Sequence, residues 1–276
     1  MKPLDLMTTI QIEITNHCNL SCAACTRHAG HQRDKYFMTK EMFIDCLLSL
    51  TGFEGIVGIM GGEPTLHPDF QELMEIYQMM IPKERRGLWT NMANWKRHEK
   101  VILETFLQDR DHMLKNDHKA EGSLHHPLLV AIKDVVPDEV EMWRLIHDCP
   151  YQNRWSASIN HKGAFFCEVA AAQDVLFAGP GGWEIRPDWW KKRNGMEFRE
   201  QIDRYCPNCG GAVPIAGIDP HSEFELISPS NVEKLSDLGI LPKYELFDRK
   251  ITPEELQAAY AGGYHPLKHR KEECIQ

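Results

Sequence analysis

The chain has 276 residues, 42% of them hydrophobic and 26% charged, which is an ordinary globular composition, long enough for one large α/β domain or a domain with a smaller appendage. Its formal net charge of −9 argues against a protein that binds nucleic-acid phosphates, which requires clustered lysine and arginine. The nine cysteines come without a secretory signal or a membrane-length apolar run, so we expect a cytoplasmic protein with no membrane span whose cysteines bind metal rather than form disulfides.

Residues 1–147 predict alternating strands and helices. Strands are expected at 10–15, 56–60, 87–92 and 128–135. Helices are expected after the cap Thr39, after an Asp69–Glu72 capping box, at 95–107, and after Pro137 with Val140, Trp143 and Ile146 facing inward. Such alternation gives a parallel sheet, and four or five units rather than eight predict an α/β fold of the partial (β/α) barrel type.

Three cysteines follow the first predicted strand in the spacing C-x3-C-x2-C: Cys18, Cys22 and Cys25. Thiols this close together can bind three corners of an iron–sulfur cluster and leave the fourth corner without a protein ligand. A zinc site is the alternative, with His17 or His28 as the fourth ligand, as are three unrelated thiols. The spacing resembles the motif of the radical S-adenosylmethionine (SAM) superfamily.

That resemblance implies a [4Fe–4S] cluster on the three cysteines, whose free iron chelates SAM and whose electron cleaves SAM to a 5′-deoxyadenosyl radical. A motif after the second strand is similar to the superfamily's GGE motif, which contacts the methionyl amine; it consists of Gly61, Gly62, Glu63 and Pro64. The two glycines let the backbone approach a ligand closely. Asn91, at the end of the third strand, is expected to reach the methionine carboxylate or ribose. One departure is Ala24, where the superfamily often has an aromatic residue against the adenine.

Four further cysteines surround a predicted hairpin at 155–159 and 164–167; they are Cys149, Cys167, Cys206 and Cys209. Four thiols can close either a zinc site or a fully ligated [4Fe–4S] cluster, since both take four sulfur ligands. The arrangement resembles the Twitch subdomain, and its spacings are similar to those of radical SAM dehydrogenases of 2-deoxy-scyllo-inosamine, which implies an auxiliary cluster. We therefore expect a barrel over 8–147, a Twitch subdomain over 148–213 and a helical C-terminal extension over 214–276.

A fully ligated cluster cannot bind a substrate, so its expected role is to accept an electron. This favours oxidation of an alcohol to a ketone on a small sugar, polyol or aminocyclitol, with an external one-electron donor such as flavodoxin or ferredoxin. The reaction needs a general base, for which Lys133 and Glu168 are candidates.

Two other functions remain open at this stage. A redox-neutral epimerase of a sugar or peptide residue would need a thiol hydrogen donor, for which Cys274 or Cys46 is available, although Cys46 fits equally a buried position on its helix. A zinc-stabilised, non-catalytic binding module is the third possibility. We expect His125 and His126 to lie in an exposed loop, and Trp189 and Trp190 to pack in the core.

Overall fold

A six-stranded sheet forms the centre of the computed structural model, which describes residues 1–116 and 123–261. Its strands are β1 (Thr9–Thr15), β2 (Ile56–Gly61), β3 (Arg86–Thr90), β4 (Met113–Lys115), β5 (Ser156–Asn160) and β6 (Gly163–Phe165). The order across the sheet is β4-β3-β2-β1-β5-β6, and neighbouring strands run parallel except for the antiparallel pair β5–β6. This parallel-dominated sheet with its helices confirms the predicted α/β class.

Nine helices are assigned in the described residues: α1 (Lys40–Ser49), α2 (Phe70–Met80), α3 (Trp95–Thr105), α4 (Ile132–Val135), α5 (Glu139–His147), α6 (Glu168–Leu176), α7 (Arg199–Tyr205), α8 (Pro229–Asp237) and α9 (Pro253–Ala261). Among residues 1–116 and 123–261, no helix combines the length and apolarity needed to cross a bilayer. After residue 213 the chain also forms a small parallel sheet of β7 (Glu225–Ile227) and β8 (Tyr244–Leu246), which the prediction of a helical extension lacked.

Alternation along β1 determines where the polar groups gather. Ile10, Ile12 and Ile14 have no exposed surface and belong to the main hydrophobic core. Gln11 and Glu13, on the opposite face of the strand, are also buried. Gln11 pairs in register with Ser158 of β5, so this face of the sheet continues as a buried polar surface.

Local signals predicted much of this fold correctly. The Thr39 hydroxyl caps α1 by accepting from the Met42 N–H at 3.2 Å. The predicted hairpin is present as β5 and β6, and β5 pairs with β1, so the hairpin extends the main sheet. At α9, Thr252 and Glu255 exchange hydrogen bonds as a capping box. Trp189 and Trp190 are buried, as expected.

Three local predictions are wrong. The strand expected at 128–135 is instead a buried turn leading into α4, because an apolar run enclosed on all sides carries no period that separates strand from helix. On α5, Ile146 is buried as predicted and Trp143 packs against the core, but Val140 is 81% exposed, and Met142 and Leu145 are buried instead. Asp69 makes no side-chain cap to α2.

Candidate active site

The three-cysteine loop follows the carboxyl end of β1. The thiols of Cys18, Cys22 and Cys25 are all partly buried. Burial raises the pKa of Cys18 to about 11 and the pKa of Cys22 to about 12. Thiols of this kind become thiolates at neutral pH only beside a strong positive charge such as bound iron. The donor set consists of soft sulfur atoms, which fits an iron–sulfur cluster.

The two glycines at the end of β2, Gly61 and Gly62, let this segment approach the cysteine loop. The Gly62 N–H donates to the Thr15 carbonyl and the Glu63 N–H to the His17 carbonyl, both at 2.8 Å. A Cβ atom on Gly62 would lie 2.4 Å from the His17 carbonyl oxygen, which is far too close. The sequence argument assigned the glycines to a ligand, whereas their immediate neighbour is the backbone that leads into Cys18.

Glu63 is fully buried and joins the ends of two strands. Its Oε1 accepts from the Thr65 hydroxyl at 2.6 Å and the Thr90 hydroxyl at 2.7 Å, and its Oε2 accepts from the Asn91 N–H at 2.6 Å. The Asn91 amide then reaches the Cys18 Sγ at 3.7 Å. The two residues expected to contact SAM thus lie together beside the cysteine loop.

The second cysteine group comes from three separate places in the chain. Cys149 follows α5, Cys167 precedes α6 as its N-cap, and Cys206 and Cys209 belong to a turn after α7. All four line one cavity whose other walls include apolar side chains such as Phe166. Burial raises the pKa of all four thiols, that of Cys209 to about 12. Burial of four thiols around one cavity fits a ligand that supplies positive charge.

A glycine, Gly211, packs against the second cysteine group, as Gly62 packs against the first. The Gly211 N–H donates to the Cys209 Sγ at 3.3 Å. A Cβ atom on Gly211 would lie 3.4 Å from the Cys209 Sγ and 3.7 Å from the Cys149 Sγ, so both sulfur atoms lie close to the same point. Among residues 1–116 and 123–261, no three His, Cys, Asp or Glu side chains are grouped tightly enough to hold a single metal ion.

Arg27 connects the two cysteine groups. Its guanidinium, 2% exposed, forms an ion pair of 2.8 Å with Glu168, the residue after Cys167, and also donates to the Glu168 carbonyl at 2.9 Å. A second carboxylate, Glu13 of β1, lies 3.6 Å away and accepts from the Tyr36 hydroxyl. Burial raises the pKa of Glu13. The Arg27 guanidinium therefore pairs with two carboxylates, that of Glu13 on β1 and that of Glu168 at the start of α6.

The candidate bases lie in different surroundings. Lys133 is exposed on α4, whose position differs from the strand end where it was expected. Glu168 is 1% exposed, and its Oε2 also accepts from the Trp155 indole at 2.8 Å and the Ser156 hydroxyl at 3.1 Å. Cys274 lies outside the described residues.

Three histidines singled out in the sequence also have defined positions in the structure. His126 is buried and hydrogen-bonded to the Gly210 carbonyl at 2.7 Å, so the expected loop exposure is wrong for it. His17 packs against the Phe37 ring. His28 is buried, neither of its ring nitrogens has a hydrogen-bond partner among the described residues, and burial lowers its pKa to about 3.

Sequence reasoning missed Glu13, Arg27 and Tyr36. A signal for Glu13 exists in the run Ile10-Gln11-Ile12-Glu13-Ile14, because a strand enclosed on both faces usually reads as continuously apolar. Polar residues at alternate positions of such a strand indicate a buried polar face. Nothing local marks Arg27, since its partners are distant in sequence.

A parallel α/β sheet with a loop of three thiols at the end of its first strand is typical of α/β proteins that bind an iron–sulfur cluster. In a comparison with protein families, residues 12–111 match the radical SAM superfamily. The matched residues therefore form a domain similar to that of the radical SAM superfamily, whose members use a [4Fe–4S] cluster and SAM in an enzymatic reaction. Members generally act on small molecules and take electrons from an external donor.

No curated protein matches the chain in a sequence comparison. Among solved structures, BtrN in complex with AdoMet and 2-DOIA is similar with 15% identity and a TM-score of 0.47, over 74% of this chain and 93% of that one. Selenomethionine BtrN in an open conformation is similar with 16% identity and a TM-score of 0.46, over 79% of this chain and 98% of that one. Likeness at this level does not define the substrate or the reaction.

Proposed function

We propose that the chain is a radical SAM dehydrogenase that oxidises an alcohol of a sugar, polyol or aminocyclitol to a ketone in the cytoplasm. With one electron from a donor such as flavodoxin or ferredoxin, SAM and a [4Fe–4S] cluster on Cys18, Cys22 and Cys25 supply the 5′-deoxyadenosyl radical. A second [4Fe–4S] cluster is assigned to Cys149, Cys167, Cys206 and Cys209. This second site belongs to a Twitch-type subdomain over 148–213, between the barrel (8–147) and the C-terminal extension (214–276).

The observation that carries the proposal is the meeting of four thiols from three chain segments around one cavity. Four protein ligands leave no open iron for a substrate, so the group at that site serves electron transfer. An oxidation requires such an acceptor, whereas a redox-neutral reaction does not. The Arg27–Glu168 ion pair places the two cysteine groups in one connected unit.

The proposed reaction balances as a two-electron oxidation. The alcohol carbon would give a hydrogen atom to the radical that SAM supplies, the hydroxyl would give a proton to a base, and the group held by Cys149, Cys167, Cys206 and Cys209 would accept the remaining electron. The products are a ketone, 5′-deoxyadenosine and methionine. Glu168 fits the role of base better than Lys133, because it lies inside the protein next to Cys167 whereas Lys133 faces solvent.

Glu63 and Asn91 are the residues we assign to the methionyl part of SAM, with Gly61, Gly62 and Pro64 shaping the segment around them. The Asn91 amide already lies within 3.7 Å of the Cys18 Sγ, so a ligand on the cluster's free iron would be next to it. Glu63 has a fixed carboxylate because four donors hold it. A preorganised anion of this kind suits an ammonium group.

The test is anaerobic reconstitution followed by a screen of pooled polyols, nucleotide sugars and aminocyclitols for release of 5′-deoxyadenosine, with mass spectrometry of the products. We expect a ketone in equal amount to 5′-deoxyadenosine. The variant Cys206→Ser/Cys209→Ser should still cleave SAM but form no ketone. Recovery of an epimerised alcohol carrying solvent deuterium would contradict the dehydrogenase.

The structure argues against one of the two thiols that an epimerase could use as hydrogen donor. An epimerase would need a thiol near the substrate. Cys46 has no exposed surface and packs in the core on the buried face of α1, where burial raises its pKa to about 12. Cys274, the other proposed hydrogen donor, remains a prediction outside the described residues. The match of residues 12–111 to the radical SAM superfamily weighs against the non-catalytic zinc module, which metal analysis distinguishes directly.

A further inference from the structure

A segment far along the chain holds the middle of the three-cysteine loop. Ala23 and Ala24 are the two residues between Cys22 and Cys25. The Ala23 N–H donates to the Pro220 carbonyl at 2.9 Å. The Ala24 N–H donates to both carboxylate oxygens of Glu225, each at 3.0 Å and 201 positions away. Two consecutive peptide groups of the loop are thus bound by the segment that leads into β7.

Glu225 is placed to stabilise an otherwise unfavourable turn. Ala24 has a φ of 50°, in the left-handed region that a residue with a Cβ adopts only at a cost. Ala24 is 2% exposed and Glu225 is 4% exposed, so water cannot take over the hydrogen bond. The His31 Nε2 lies 2.7 Å from Glu225 Oε1 and satisfies a second site on the carboxylate.

The charge of Glu225 also acts on the cysteines. Both of its carboxylate oxygens lie 3.0 Å from the nitrogen of Ala24, which stands between Cys22 and Cys25, so the carboxylate lies beside both ligands. A buried anion this close to two cluster ligands disfavours adding an electron to the cluster they hold, since net charge is one of the factors that set the potential of an iron–sulfur cluster.

We propose that Glu225 is a positioning residue for the three-cysteine loop: its carboxylate fixes the turn at Ala24, and its charge lowers the reduction potential of the cluster bound there. The inference rests on the proposed function only in assigning that cluster to Cys18, Cys22 and Cys25. The proposal gives the C-terminal extension a role at the first cluster. It also agrees with the presence of alanine at position 24, because the extension covers that residue.

Three variants separate position from charge. Glu225→Gln keeps the shape and an oxygen that accepts from Ala24, and the other tautomer of His31 can accept from its amide. Glu225→Ala removes both functions. Glu223→Gln is the matched control, because Glu223 lies two residues earlier, is 75% exposed and pairs with Lys243 at the surface. Each reconstituted protein is assayed for iron and sulfide and for the midpoint potential of the cluster whose EPR signal changes on adding SAM.

We expect Glu225→Gln to keep its iron and show a more positive midpoint potential, and Glu225→Ala to lose iron together with the SAM-sensitive signal. Glu223→Gln should match the wild type. An unchanged potential in Glu225→Gln, or an equal shift in Glu223→Gln, would overturn the inference, and this comparison decides even if Glu225→Ala does not fold. A wild type without any SAM-sensitive cluster would instead overturn the proposed function.

Discussion

Replacing Arg27 with methionine tests how firmly the two cysteine groups are joined. Methionine keeps much of the side-chain volume but removes the cation. Glu168 then loses its partner at 2.8 Å and Glu13 the charge at 3.6 Å. The side chains of Arg27, Glu13 and Glu168 are 2%, 0% and 2% exposed, so water cannot replace the lost partner.

The expected loss of stability in Arg27→Met follows from this burial. Removing one partner of a buried ion pair costs about 3–5 kcal/mol, because a charge remains in the interior without compensation. Domains are stable by only about 5–15 kcal/mol, so the loss is a large share of the total. Each kcal/mol lowers the melting temperature of a chain near this size by about 2–4 °C, which gives a fall of about 6–20 °C.

The assay is thermal unfolding of the reconstituted protein followed by circular dichroism. The control is Arg199→Met, which breaks an exposed pair with Asp203 and should leave the melting temperature unchanged. Adding Glu168→Gln to Arg27→Met should cost less than the sum of the two single changes, because the uncompensated charge is gone. Equal melting temperatures for Arg27→Met and Arg199→Met would refute a connecting role for Arg27.

Three further substitutions have defined outcomes. Gly62→Ala brings a Cβ to 2.4 Å from the His17 carbonyl and should lower iron content through displacement of the cysteine loop, whereas Gly195→Ala meets nothing within 4 Å and should not. Cys46→Ala should cost about 0.5–2 kcal/mol of stability in urea unfolding but leave the ketone yield unchanged; loss of product with normal stability would favour the epimerase. Lys133→Gln should leave 5′-deoxyadenosine release and ketone yield unchanged, since its side chain is exposed; a selective loss of ketone would make Lys133 the base.

The parts of the fold that the sequence predicts are those with local causes. Alternation of isoleucines places β1, a threonine hydroxyl begins α1, and a glycine-containing turn joins β5 to β6. The cysteine spacings likewise select the two groups of thiols. These features depend on residues a few positions apart, so their physical meaning can be seen without the tertiary structure.

The remaining features depend on contacts between distant residues. The apolar run at 128–135 becomes a turn because it packs beside the second cysteine group, where the Gly210 N–H donates to the Leu128 carbonyl at 2.9 Å. The contact of Glu225 with Ala24 joins residues 201 positions apart, and that of Arg27 with Glu168 joins residues 141 apart. No spacing rule in a single sequence connects such pairs.

Metal analysis of the anaerobically reconstituted protein tests the central claim most directly. Two [4Fe–4S] clusters predict about eight iron atoms and as many labile sulfides per chain, falling by half in Cys149→Ala/Cys209→Ala while the SAM-sensitive EPR signal remains. Zinc in place of iron, or a wild type with about four irons that this double variant does not change, would contradict the assignment of two clusters.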